Sequence, residues 1–499
     1  MSYQALEQHF RRIGHLQHLG AILQWDEAVM MPPGSGDERA EATATLQVVL
    51  HELLTDARLG DQVALAQQGE RSLDEDQRAN LREICRLVER ANALDNSLVE
   101  RAARAQLRCE QAWRSLRAEN DFATFAPLLA EVVTIKRESA AALSAKLGIP
   151  AYDALLDEFE SGLRTSALDR VFAQLKGFLP GLIEQVIEHQ RSQHVLPLEG
   201  PFPIPAQRAL VEGLMRSIGF DTARGRLDVS HHPFCGGAPS DVRITTRYDE
   251  GNFTQSLLGV LHESGHAKYE QGLPMRLSGQ PAGAARGMAM HEGQSLLSEM
   301  QVSRGRPFLR FLAPRLAVAF PEAVRKHPAA YEAENLYRLF TRVKRSKIRV
   351  DADEVTYPVH IMLRYDIERA LIAGEIEVRH MPEVWDQGMR AMLSISTAGD
   401  DRNGCMQDVH WPSGAFGYFP TYTLGALTAA QLFAACKRTL PTLEADIETG
   451  HFDPLNAFLR EHIWSRASLL SGDELMQRAT GESLNPSYFE AHLRARYLA

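Results

Sequence analysis

A mainly α fold is what this 499-residue sequence predicts, on three observations. Apolar side chains recur at three- and four-residue spacing through most of the chain, breakers of that spacing concentrate in one stretch, and a two-residue alternation stands out once. Leu6, Phe10, Ile13, Leu16, Leu19, Ile22 and Leu23 make the first element an amphipathic helix, which Pro32-Pro33-Gly34 stops. The same spacing predicts helices over about 36–55, 76–118 and 122–147. Ala, Leu, Arg and Glu crowd the segment from 80 to 117, but its apolar positions hold no seven-residue repeat, so packed helices are expected there rather than a coiled coil. Pro197, Pro201, Pro203, Pro205 and the run His232–Pro239 predict loops between about 196 and 250. Within that stretch, Asp241–Tyr248 sets Val242, Ile244 and Thr246 against Arg243 and Thr245, the alternation of a short strand. Helices then resume at about 254–271, 284–303, 329–345, 354–371, 382–395, 422–438 and 454–468.

Composition narrows the classes. Hydrophobic residues make up 44% and charged residues 24%, enough apolar material for a large core. The balance of 54 basic against 64 acidic side chains, a net charge of −10, is the wrong sign for neutralising phosphates, so no nucleic-acid partner is expected. Cys85, Cys109, Cys235, Cys405 and Cys436 are far apart with no C-x-x-C pair, which suits a reducing compartment better than a disulfide framework. The first residues are polar where a signal peptide needs an apolar run, and no stretch has the 18 or so apolar residues of a membrane span, so a cytoplasmic location is expected.

One motif carries chemistry. His262-Glu263-Ser-Gly-His266 lies inside a helical pattern that Gly272 and Pro274 close. Histidines four apart sit one turn apart on one helix face, about 6 Å along the axis, so both imidazoles can reach a single metal ion with Glu263 beside the attacking water as general base. Leu257, Leu258, Val260 and Leu261 make the preceding turns apolar, as in a helix entering a core. A catalytic zinc takes three protein ligands, and Met290-His291-Glu292-Gly293-Gln294 offers the third in Glu292, 26 positions after His266 on a helix that the Gly279–Gly283 loop lets return antiparallel. Glu299, two turns further, competes for that place, and His291 is expected to hydrogen-bond to the ligands.

Beyond the motif, the sequence resembles the carboxypeptidase Taq family of zinc metallocarboxypeptidases. Asp241-Val-Arg243-Ile-Thr245 matches the family pattern Asp-x-Arg-x-Thr, Ile348-Arg349-Val-Asp-Ala352-Asp353 matches Ile-Arg-x-x-Ala-Asp, and Gly404-Cys-Met-Gln407-Asp408-Val-His410-Trp411 matches Gly-x-x-Gln-Asp-x-His-Trp. Leu23-Gln-Trp25-Asp26 and Met31-Pro-Pro-Gly34 also look like the family, so the likeness covers nearly the whole chain. There is one departure: the family's His-Glu-Ser reads His291-Glu292-Gly293.

The resemblance implies a large helical, gluzincin-like metallopeptidase with a deep central groove and a small β-sheet at the cleft edge. It further implies one Zn²⁺, with Co²⁺ able to substitute, a homodimer, and removal of C-terminal residues from peptides with a free C-terminus. A single body over 1–499 is expected, with an N-terminal helical portion at about 1–195 and a catalytic portion at about 240–425. The implied ligands are His262, His266 and Glu292 with Glu263 as base, the same four that the spacing picks out. The Asp241–Tyr248 strand would be either a cleft edge for a peptide backbone or scaffold.

An enzyme that removes terminal residues must hold the terminal carboxylate, and a guanidinium offers it a planar two-pronged donor; Arg349 is the first choice and Arg243 the next. Gln407 is grouped with them on the substrate side, although Gln407 and Asp408 are better placed to orient His410 or the backbone. His410 and Tyr422, with Tyr418 as the alternative phenol, are the expected donors to a developing oxyanion. The rival readings are a helical zinc oligopeptidase or dipeptidyl carboxypeptidase, which would cut another bond, and a non-catalytic scaffold, for which an intact Glu263 would have no use.

Overall fold

Four helices, Ser2–Val29, Gly36–Thr55, Ala57–Gln68 and Glu75–Ala91, open the computed structural model, which describes residues 2–499 except for the side chains of Ser2 and Asp37. They share an apolar cluster of their own, built on Leu6, Phe10, Ile13, Leu59, Leu81 and Ile84. The main core is separate and runs from Leu98 to Tyr497. Asn80 stitches the two together: its amide donates to Tyr3 and to Gln280 Oε1, and its oxygen accepts the Ala282 N–H.

Several sequence expectations shift for identifiable reasons. The helix expected over 76–118 is two, because Asp95 accepts the Leu98 N–H and caps a fresh start at Asn96–Glu119. A helix at Ile204–Ser217 occupies part of the stretch expected to be loops. Pro203 and Pro205 flank its first residue, where the missing N–H groups have no helical partner to lose, so these prolines start a helix rather than prevent one. The helix expected over 329–345 contracts to Ala333–Phe340, since the next amides find partners elsewhere: Val343 N–H donates to Gln190 Oε1 and Lys344 N–H to Asp353 Oδ2.

The sheet has three strands, β1 (Gly225–Val229), β2 (Cys235–Ala238) and β3 (Asp241–Thr246), in the order β1-β3-β2. β1 runs parallel to β3 with Leu227 opposite Ile244, and β2 runs antiparallel with Gly237 opposite Val242. β3 is therefore the central strand with both edges paired, and it cannot add a substrate strand. β2 is the strand along a deep groove of about 1630 Å³, which its Cys235, Gly237 and Ala238 help to line. That groove lies between the first helix, which contributes Phe10, Ile13 and His18, and the helix Phe253–Gly272. Among the described residues no helix is long and apolar enough to cross a membrane.

Candidate metal centre and substrate groove

Helix Phe253–Gly272 starts where Asn252 accepts the Thr254 N–H, and it buries Leu257, Val260, Leu261, Ala267 and Tyr269 in the main core. That burial turns His262 and His266 toward the groove, their ring centroids 5.0 Å apart. Helix Met288–Leu296 brings Glu292 against them: its Oε2 is 3.8 Å from His262 Nε2 and 3.3 Å from His266 Nε2. One ligand atom from each of the three lies within 4.8 Å of the others.

Close helix contacts set this spacing. A side chain at Gly265 would lie 2.5 Å from the Gln294 carbonyl oxygen, and one at Gly425, on helix Pro420–Thr439, would lie 2.7 Å from Glu292 Cβ. The family departure at Gly293 has the same cause, because a Cβ there would meet Thr428 Cγ2 at 2.7 Å. Gly425→Ala is therefore expected to cost about 1–3 kcal/mol of stability by overpacking and to push Glu292 off its partners. Melting temperature and metal content of the purified variant check this; undiminished metal content would show that the helix yields without moving Glu292.

The outer ring nitrogens are already engaged. His262 Nδ1–H donates to Glu299 Oε2 at 3.0 Å. Glu270 accepts the His291 Nε2–H at 2.8 Å, which leaves His291 Nδ1 to accept from His266 Nδ1–H at 2.5 Å. With Nδ1 engaged in each ring, His262 and His266 both leave Nε2 facing Glu292, the nitrogen that a metal would take. Glu299, expected as a competing ligand, instead orients His262, and its second oxygen is held by Arg304.

The charges make the same demand. Burial presses His266 down to about 4, keeping it neutral. Burial also opposes a charge on His262, but Glu292, Glu299 and Glu263 outweigh it and lift His262 to about 10. Burial raises Glu263 to about 7. A pocket with three carboxylates and two convergent imidazole nitrogens fits a divalent cation, which would replace that proton.

Further along the groove, Arg349 is buried with 8% of its side chain exposed, and its Nε and Nη2 donate to Asp408 Oδ1 at 3.0 and 2.9 Å. Arg364 takes the other oxygen of Asp408 through Nε at 2.7 Å and Nη2 at 2.5 Å. The acids next to it in sequence, Asp351 and Asp353, are not its partners: Asp353 caps the helix that follows by accepting from Val355 and Thr356. Asp408 occupies the Nε side of the guanidinium, so the Nη1–Nη2 end stays available for a second carboxylate.

Tyr422 and Tyr418 line the groove and His410 does not; its Nε2 sits 3.1 Å from the Tyr422 hydroxyl, behind the phenol. Burial holds Tyr422 up at about 12, a donor at neutral pH, and presses His410 down to about 3. Tyr357, which sequence reasoning missed, also lines the groove, and all three phenols feel the charge of Glu292. No motif signalled Tyr357, although it lies four residues past Asp353 at the start of a helix.

Two expected substrate contacts are absent from the groove wall among the described residues. Arg243 is closed on Asp241 by two bonds of 2.9 and 2.8 Å and lies 4.3 Å over Trp25. Gln407 accepts the Arg349 N–H and gives its amide to the carbonyls of Lys347, Asn403 and Gly404. It braces the Arg349 turn with its amide hydrogens committed to those carbonyls.

The model of the carboxypeptidase Taq (M32) metallopeptidases matches residues 5–497. The chain belongs to that family. It is 37% identical to thermostable carboxypeptidase 1 of Thermus thermophilus, over 100% of this chain and 98% of that protein. The solved structure of Trypanosoma cruzi metallocarboxypeptidase 1 superposes with a TM-score of 0.97 at 42% identity, covering 100% of this chain and 99% of the other. The M32 carboxypeptidase of Deinococcus radiodurans R1 does so with a TM-score of 0.93 at 32% identity, covering 99% and 98%. The protein is thus an M32 metallocarboxypeptidase, with the helical architecture and small sheet of its relatives. A metal is implied by the family, and His262, His266 and Glu292 form the cluster that fits one.

Proposed function

We propose that this M32 chain is a zinc-dependent carboxypeptidase that releases residues from the free C-terminus of peptides, with Glu263 as general base. The observation that carries the reading is the convergence of two Nε2 atoms on Glu292 with Glu263 beside them on the groove wall and outside the ligand set. His262, His266 and Glu292 would hold the ion. Zinc, when bound, supplies a Lewis acid that polarises the scissile carbonyl and acidifies water.

The chain's own groups perform the remaining work. The Glu263 carboxylate takes a proton from the attacking water and passes it to the leaving amine. Tyr422, steadied by His410, and its neighbours Tyr418 and Tyr357 offer phenolic hydrogens to the developing oxyanion. The Nη1–Nη2 end of Arg349 receives the terminal carboxylate, and Asp408 holds that guanidinium in place. The homodimer implied by the resemblance and the cytoplasmic location expected from the sequence belong to this proposal too; the five cysteines, all free thiols, suit a reducing compartment.

A chelator is expected to abolish turnover, and added Zn²⁺ or Co²⁺ to restore it. His262→Ala or His266→Ala lowers metal content because each removes one of three protein ligands. Full activity in metal-free protein would overturn the mechanism. Product masses from one unblocked peptide separate loss of single residues from loss of dipeptides, which would point to the dipeptidyl alternative.

A further inference from the structure

We propose that Arg496, on the last helix, Ser487–Tyr497, is a positioning residue for the metal centre, acting through the turn that carries Glu299; the inference rests on the zinc reading above. Directly after Glu292's helix the chain widens into seven π-helical residues, Leu297–Ser303. The inner side of this turn faces the groove with Glu299, whose Oε2 accepts from His262 Nδ1 at 3.0 Å and whose Oε1 accepts from Arg304 Nη2 at 2.5 Å. Glu299 and Arg304 are five positions apart. In an α-helix such residues point about 140° away from each other, whereas the i to i+5 geometry of a π-helix brings them to the same side. The ion pair that fixes Glu299, and through it the His262 ring, thus depends on the wide register being kept.

A wide turn is rare because it packs and hydrogen-bonds less well than an α-helix, so something outside must hold it. Arg496 does so from the last helix. Its side chain is 8% exposed, its Nη1 donates to the Met300 carbonyl, and its Nη2 donates to the Gln301 carbonyl at 2.9 Å. These carbonyls belong to the last π-helical turn, where acceptors lack partners within the helix and a cation is favoured. Glu354, with 1% of its side chain exposed, anchors the arrangement. It accepts from Arg496 Nη1 at 3.2 Å, from Gln301 Nε2 at 3.2 Å, from His492 Nε2 at 2.8 Å and from the Tyr497 hydroxyl at 3.0 Å. At its other end the turn is tied to the histidine helix, where Ser298 Oγ donates to the Leu261 carbonyl at 2.7 Å. Arg496 touches neither metal ligand nor groove, and acts only by fixing where Glu299 stands.

The test is a cycle of zinc dissociation constants, measured by competition with a chromophoric chelator on the full chain. Arg496→Ala is expected to raise the zinc Kd on the order of 10-fold, in the range for groups that orient ligands, and Arg496→Lys by less. Glu299→Gln should raise it at least as much, and adding Arg496→Ala to Glu299→Gln should raise it little further, since both remove one route to His262. Native zinc affinity in Arg496→Ala, with only a lowered melting temperature in the metal-free protein, would make Arg496 merely structural and overturn the inference. Penalties that multiply in the double variant would overturn it too. If Arg496→Ala does not fold, Arg496→Lys is compared in the same cycle and read the same way. An unaltered chain that takes up no zinc would sink the zinc reading itself, whereas a chain that binds zinc regardless of position 496 would sink only this inference.

Discussion

Glu263→Gln is expected to retain its metal and to lose kcat by roughly 10²- to 10⁴-fold. Glu263 is a carboxylate beside the cluster but not in it, so an amide of the same shape keeps the packing and loses only the ability to accept a proton from water. Glu292→Gln should fail differently. Its Oε2 is the atom on which both imidazoles converge, so the variant should lose metal first and activity as a consequence. Metal content and kcat measured on the two variants at saturating zinc separate the roles. A Glu263→Gln protein that loses its metal, beside a Glu292→Gln protein that keeps it, would mean that the two carboxylates have been assigned the wrong way round.

Arg349→Ala should cut kcat/KM on a free-acid peptide by roughly 2 to 5 kcal/mol of transition-state stabilisation, and amidating the peptide should do the same to the unaltered enzyme. Once Arg349 is gone, amidation should add little, because both changes delete one interaction. The structure lets this cycle be read cleanly. Asp408 keeps Arg364 as a partner when Arg349 is removed, so no buried carboxylate is left unpaired and the fold should persist. Additive penalties would confine Arg349 to its ion pair with Asp408. Arg243 would be a poor successor to the clamp, since it stands away from the groove wall among the described residues.

What the sequence determined by itself was whatever depends on short-range spacing. Periodicity placed most of the helices because a buried stripe has to recur every three or four residues, and the four-residue interval between His262 and His266 put both rings on one face before any partner was known. Glu292 was within reach for a similar reason, as the loop between the two helices is long enough for an antiparallel return. Only the tertiary structure could decide which distant groups meet. β3 looked like a possible cleft edge until β1, hidden in a proline-rich stretch, paired with its other side. Arg349 pairs with Asp408, 59 positions away, rather than with the acids next to it, because a 3₁₀ turn and the Gln407 brace set its guanidinium against Asp408. Glu299 read as a rival ligand on an ideal helix, but the π-helical turn and its tie to Arg304 make it the partner of His262 instead. Local propensity describes a residue's own neighbourhood, while charge pairing and backbone widening are settled by groups that arrive from elsewhere in the chain.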